Sequence, residues 1–431
     1  MLSGVKEFAR RERGRAWLSA MAAILFLLLV TFAAAGCGEE AAEEEQVPQS
    51  AEETLTIKVG IIDSYSGPAS GYAEDGLDGF KLAVEELAEA GNVNIEFETR
   101  DSEFDVSKAL EAAKDLVMRE NVDVLAGTIN SAAALAVSDY AKDEQIPFLV
   151  WHAQSEKITG EQGHRYVFGM MPNAAMSGRA GALAMSDLAH QNQNYWLAGS
   201  DYEYGHAIVG NFWSTLKEEN PEAQQLGESW WPVGEADFTP YINAIRSESP
   251  DALAIGAGGA DMVSVMKAIA NSGLQEEMDI YLHTATDLGT LSPLGENAPA
   301  GVYGTNSYHY YYPDSPENNS FSEGFMEAYE RQPGFTALNG YVSAKFIAEA
   351  LTIAGEADAE KLVDALEGLT IDSPVGEVGL REYDHQIIAP LFFGKTAKDP
   401  DNPYLIATDV VTIPGDEAII PEEEVRAARG E

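Results

Sequence analysis

Residues 56–79 read Thr-Ile-Lys-Val-Gly-Ile-Ile-Asp-Ser-Tyr-Ser-Gly-Pro-Ala-Ser-Gly-Tyr-Ala-Glu-Asp-Gly-Leu-Asp-Gly. Thr56 to Ile62 is a mostly apolar run of strand length, Ser66-Gly67-Pro68 interrupts it, and Leu77, Phe80, Val84 and Leu87 then recur on one face of a helix. The chain repeats this strand, loop and helix. Strands at 94–99, 122–126 and 147–150 alternate with a helix marked by Val106, Ala109, Leu110, Ala113 and Val117 and with another over 132–143. The pattern restarts at 166–171. Helices at 174–189, from the 201–205 loop to 219, at 238–247 and at 262–271 then separate strands at 195–198, 225–230, 252–255 and 280–283. Gly301 to Tyr312 reads as a crossing segment, with helices at 320–330, 337–354 and 359–367 after it. Short strand signals from Val375 to Ile413 precede an acidic tail at 416–431. Such alternation implies parallel pairing with both sheet faces covered, hence an α/β chain of two doubly wound lobes. Ligands of such sheets bind outside the carboxyl ends of the strands. Here those ends are 63–72, 128–131, 151–155, 200–204, 256–260 and 284–287.

The 26 Lys and Arg against 71 Asp and Glu leave a formal charge of −45, which argues against nucleic acid as a partner because phosphate binding needs clustered cations. An anionic membrane surface would repel the folded part as well. A surface adapted to high salt, where screening shortens self-repulsion, accounts for this acidity better than capture of a cationic ligand does. The single cysteine, Cys37, excludes an intramolecular disulfide and a Cys-based zinc cluster.

Lys6, Arg10, Arg11, Arg13 and Arg15 precede an apolar run from Ala16 to Ala35, the layout of an export signal over residues 1–36. Ala34-Ala35-Gly36-Cys37 resembles a bacterial lipobox, which makes Cys37 the lipidation site and the lipid the only membrane contact. Gly38 to Glu53, rich in Glu, Ala and Gln, completes a disordered acidic tether over 37–53.

No nucleophile elbow, phosphate-cradling loop or zinc helix occurs, and the seven histidines lack ligand spacing, so neither catalysis nor a metal or other cofactor is expected. Ser131 opens a helix after a strand. Its hydroxyl and the free amides of that turn suit a carboxylate, or Ser131 is a plain N-cap. Tyr72 and Trp151 are either stacking surfaces for a ligand or packing residues. Tyr204 lies in a polar loop before a helix, and Asp287 is a candidate partner for an ammonium.

With Val-Gly-Ile-Ile-Asp-Ser-Tyr-Ser-Gly-Pro at 59–68, Gly127-Thr128-Ile129-Asn130-Ser131 and Asp201-Tyr202-Glu203-Tyr204-Gly205, residues 55–410 resemble the substrate-binding proteins of ABC importers. The likeness is to the leucine/isoleucine/valine-binding type, which includes amide and urea receptors. It implies the type I periplasmic binding protein fold: Rossmann-like lobes at 54–172 with 310–372 and at 173–309 with 373–415, joined by a three-segment hinge. It also implies an extracytoplasmic, non-enzymatic protein that takes a small solute, an amino acid or similar, and works with an ABC permease. A sensing receptor of the same fold, and a ligand that is an amide, urea or an aromatic acid, are the alternatives. Carried over by position, the first lobe would hold a carboxylate through Ser131, beside Asn130, and through the turn Trp151, His152 and Gln154, with Ser66 and Tyr72 on the cleft wall. The second lobe would supply Tyr204 and an acidic group near Thr284 to Asp287. Three departures stand out. Gln154 replaces a common threonine, Gly258 and Gly259 replace aromatics and are expected to widen the pocket, and the acidic position aligns most directly with Thr284.

Overall fold

The computed structural model describes residues 54–431 apart from 68, 92, 189–191 and 401; the expected export signal, Cys37 and tether fall outside the described residues. The first sheet is built from β1 (Leu55–Asp63), β2 (Val93–Asp101), β3 (Val124–Gly127), β4 (Phe148–Val150) and β5 (Val167–Gly169), in the order β2-β1-β3-β4-β5. Every pair in it is parallel. Its helices are α1 (Ser70–Ala90), α2 (Val106–Asp115) and α3 (Ser131–Glu144). The second sheet repeats the plan. It uses α4 (Ala174–Leu188), β6 (Asn194–Ser200), α5 (Glu203–Glu219), β7 (Gln224–Trp231), α6 (Thr239–Glu248), β8 (Ala252–Gly256), α7 (Gly259–Ser272), β9 (Asp279–Leu282), α8 (Leu288–Leu294) and β10 (Tyr303–Asn306).

In the order β7-β6-β8-β9-β10 the second sheet has the same reversal as the first, and β14 (Leu391–Ala397) and β15 (Ile406–Ile413) extend it antiparallel. The reversals fall between β1 and β3 and between β6 and β8, which is where a doubly wound sheet opens a crevice. The segment read as a crossing therefore contains a strand, β10, before it crosses.

After β10 the chain returns to the first lobe as α9 (Pro316–Tyr329), α10 (Phe335–Ala354) and α11 (Ala359–Leu366). Their apolar faces join one core with β1 and β2 through Phe321, Phe325, Phe346 and Leu362, packed with Ile57 and Ile95. Helices α1 and α10 are in unusually close contact. A Cβ on Gly79 would lie 1.9 Å from the Ala337 carbonyl oxygen, and one on Gly340 2.0 Å from that of Gly76, so only glycine fits at this crossing. A small antiparallel sheet of β11 (Thr370–Ser373), β12 (Gly376–Leu380) and β13 (Ile387–Ile388) lies beside β5, bridged through Gly169 and Gln386. The chain thus passes between the two sheets after β5, after β10 and after β13.

The stretch read as an acidic tail forms α12 (Gly415–Ala418) and α13 (Glu422–Arg429). Ala418 and Ile419 pack into the second lobe's core, whereas Val425 is buried and Arg429 donates to the carbonyls of Thr159, Gly160 and Tyr383.

Candidate functional site

The first lobe's side of the crevice is organised by Asp63, the last residue of β1. Its carboxylate accepts from the amides of Ser64 (2.9 Å) and Ile129 (3.0 Å) and from Trp151 Nε1 (2.8 Å), and it lies 3.1 Å from His152 Nδ1. These bonds tie the ends of β1, β3 and β4 together. A charge at 0% exposure is tolerable only with such a set of partners.

Trp151 is therefore a core residue. Its ring packs edge-on against Phe80 at 5.8 Å, its nitrogen is committed to Asp63, and of its two sequence readings the structure supplies packing. His152 is also buried, spanning Asp63 and the Thr336 carbonyl (3.3 Å), in a space that opens because residue 76 is glycine. Gln154 keeps contact with the hinge through its carbonyl, which accepts from Ala174 N at 2.9 Å, while its Oε1 is buried without a hydrogen-bond partner.

Asn130, not Ser131, caps α3. Its side chain accepts from Ala132 N (3.0 Å) and Ala133 N (3.2 Å) and donates to the Phe104 carbonyl (2.9 Å). Ser131 becomes the first helical residue and has no capping role, but two of the amides expected for a carboxylate are occupied by Asn130. Ser66 is exposed and turned to Asp101, whose carboxyl it helps hold below its ordinary range together with the amides of Glu103 and Tyr65.

Tyr72, in the first turn of α1, packs against Phe335 with ring centroids 5.7 Å apart. Their meeting follows from the α1–α10 contact, which Asp75 reinforces by accepting from Gly334 N (3.2 Å), Thr336 Oγ1 (2.8 Å) and Ala337 N (3.0 Å) and by pairing with Arg331. The Tyr72 phenol faces Asp287 of the second lobe; burial first, then the neighbouring Asp287 carboxylate, push it up.

Across the crevice, Asp287 opens α8 at 1% exposure, and its Oδ2 has no hydrogen-bond partner. Burial and the charge of Asp75 raise this carboxyl to about 7, although the amides of Leu288, Gly289 and Thr290 at the helix start pull the other way. Thr284, expected to align with the acidic position, sits at φ 63°, a costly conformation for a β-branched residue; its amide is held by the Thr305 carbonyl at 3.1 Å. Tyr204 is partly buried, 5.9 Å from Tyr202 and 6.1 Å from His283 between ring centroids. Gly258 does not widen the pocket as expected, since a Cβ there would lie 3.2 Å from Tyr202 Oη and 3.3 Å from Tyr204 Cε1: the tyrosine rings fill that space.

The lobes meet at Lys157 Nζ and Glu203 Oε1 (3.0 Å) and at Ser155 Oγ and Glu203 Oε1 (3.3 Å). They enclose a cavity of about 10 Å³ bordered by Gln154, Ser177, His283, Thr284 and Phe335. His283 and Phe335 were not singled out in the sequence. A histidine closing a strand beside a candidate loop was the available signal for the first, and nothing local marks the second, which is delivered by helix packing. A larger groove, about 640 Å³, lies at the far edge of the first lobe beside Arg165, Arg381 and Arg429. It is a poor anion site, because Arg165 is paired with Glu360, Asp364 and Glu367, Arg381 with Asp384, and Arg429 with carbonyls. Among the described residues no cluster of His, Cys, Asp and Glu suits a metal ion, and no helix is long and apolar enough to cross a membrane.

Two lobes on the same doubly wound plan, with polar strand ends meeting at a crevice between them, are the architecture of a binding protein. Residues 56–401 match the family model described as periplasmic binding protein, and the chain belongs to that family. It is 28% identical over 364 residues to Leu/Ile/Val-binding protein homolog 6 of Brucella melitensis, covering 81% of this chain and 89% of that protein. An ABC transporter substrate-binding protein from Sphaerobacter thermophilus shares the fold with a TM-score of 0.75 at 25% identity, covering 84% of this chain and 98% of that one. A solute binding protein of an ABC transporter from Rhodopseudomonas palustris, solved in complex with 3,4-dihydroxy benzoic acid, has a TM-score of 0.75 at 22% identity, with the same two coverages. The type I fold expected from the strand-end motifs is therefore the fold of this chain.

Proposed function

We propose that the chain is the extracytoplasmic solute-binding component of an ABC importer, which captures a small amino acid or amino-acid-like solute between its lobes and presents it to a membrane permease. The observation that carries this reading is the pair of buried, unpartnered polar atoms that border the interlobe cavity, Gln154 Oε1 from the first lobe and His283 Nε2 from the second. Native proteins leave few such atoms, and a bound solute supplies their missing partners. With a cavity this small between touching lobes, entry requires the lobes to part, so ligand binding and closure are one equilibrium.

The reading includes lobes at 54–172 with 310–388 and 173–309 with 389–415, the third crossing falling after β13 and not at 372 as expected from the sequence because β11 to β13 pack on the first lobe's core, together with no reaction and a lipid tether at Cys37 after removal of residues 1–36. It includes direct solute contact by Ser66, Tyr72, Ser131, Gln154, Tyr204, Thr284 and Asp287, while Asn130, Trp151 and His152 shape the wall. The acidic surface suits high salt.

The test is a thermal-shift screen of amino acids, amides, urea and aromatic acids in high salt, with small-angle scattering on each hit. A solute that raises the melting temperature and shrinks the radius of gyration is the expected result. Hits that leave the radius unchanged would refute capture between the lobes.

A further inference from the structure

The ring of His283 ends β9 at 2% exposure, and its surroundings determine which of its nitrogens carries the proton. Tyr281 Oη donates to the Ser177 carbonyl at 3.3 Å. A phenol has one proton, so the 2.9 Å contact between Tyr281 Oη and Thr305 Oγ1 is made by the threonine proton. Thr305 Oγ1 must then accept at its 2.7 Å contact with His283 Nδ1, which places the imidazole proton on Nδ1. Nε2 is left as a bare lone pair, buried and without a partner, on a residue that borders the interlobe cavity. Burial keeps the ring from taking a second proton, pushing its pKa down to about 3.

We infer that His283 is a specificity-determining acceptor of the cleft, set by the chain Ser177, Tyr281 and Thr305, and that the solute is one presenting N–H donors rather than a carboxylic acid lacking them. This rests on the reading of the cleft as the solute site. The other unpartnered atom that borders the cavity, Gln154 Oε1, is an acceptor too. Neither Lys nor Arg borders the cavity. On the first lobe, two amides of the α3 turn that would otherwise serve a carboxylate are already held by Asn130. A carboxylate alone would bring lone pairs to lone pairs, whereas an amide or ammonium matches donor to acceptor.

Two measurements test this. The ring nitrogens of His283 are read by 15N NMR, assigned by loss of the signals in His283→Gln. Protonated Nδ1 with bare Nε2, unchanged from pH 5 to 8, is expected; an Nε2–H tautomer overturns the inference. Calorimetric titration then compares benzamide with benzoate, and L-leucine with 4-methylpentanoate. At least ten-fold tighter binding of the N–H member is expected in a pair, falling below about three-fold in Thr305→Val, which releases Nδ1 while conserving volume. Preference for the acid, no preference, no binding of any probe, or a preference unmoved in Thr305→Val each overturns it. An acid that binds and closes the lobes would leave the solute-binding reading intact, whereas binding without closure in scattering would remove that reading as well.

Discussion

Trp151 Nε1 donates to Asp63 Oδ2 at 2.8 Å with both residues at 0% exposure, so the end of β4 is fastened to the end of β1 across the intervening strand β3. The same carboxylate holds Ser64, Ile129 and His152. Removing it leaves several buried donors unsatisfied at once, each at a cost of about 1–3 kcal/mol. Asp63→Ala is expected to lose stability of that order in denaturant melts and to weaken solute binding. Trp151→Phe, which removes one donor and keeps most of the ring, should lose about 1–2 kcal/mol. Equal effects from the two substitutions would show that Asp63 is not the organiser of these loops.

Asp287 makes the native state pH-dependent in one direction. An unfolded aspartate releases its proton near 3.8, whereas in the fold burial holds it to about 7. Between these values the native state binds one more proton, so stability falls as pH rises, by about 1.4 kcal/mol per pH unit, and the deficit persists above 7. The charged or titratable groups around it are Asp75 and Tyr72 of α1, Tyr204 and Tyr311. Asp287→Asn should be more stable than wild type at pH 8 and equal to it at pH 4. Urea melts at the two pH values decide this.

Four imidazoles act with the opposite sign. His283 and His309 are pushed down to about 3 and His164 and His385 to about 4, in each case chiefly by burial. Unfolded histidine takes its proton near 6.5, so their stabilising effect is complete above that value and is lost as pH falls toward 4. Four groups together contribute a slope of about 5 kcal/mol per pH unit, against about 1.4 from Asp287. The histidines prevail. The melting temperature should drop on acidification from pH 6.5, and should drop less steeply in a His309→Phe protein.

The contact of Lys157 with Glu203 joins the lobes at the surface, with side-chain exposures of 42% and 55%. Exposed pairs are weak and screened by salt. Glu203→Gln should therefore weaken solute affinity by less than about five-fold at low salt, and by nothing measurable in 1 M NaCl. A ten-fold loss persisting in salt would make this pair a principal latch.

The strand and helix alternation was legible because apolar runs of strand length alternate with 3.6-residue periods from β1 to β9, and the six strand-end loops followed from it. Strand β10 was hidden, because Tyr303-Gly304-Thr305-Asn306 is short and half polar and gains its identity only between β9 and β14. Helix α13 read as solvated tail since its composition is acidic, while what holds it is one valine and one arginine. Among the site residues, Tyr72 and Asp287 could be nominated from position in a loop. The committed partners of Trp151 and Asn130, and the lone pair of His283, could not: each depends on atoms from strands and helices distant in sequence.

The guanidinium of Arg429 gathers three carbonyls of the first lobe and its hinge edge, although α12, a few residues earlier, belongs to the second. The end of the chain is therefore a fourth link between the cores of the two lobes, beyond the three crossings. A change in the relative position of the lobes has either to be absorbed in the short run between Ile419 and Pro421 or to break the bonds of Arg429, so this terminal arm resists their parting.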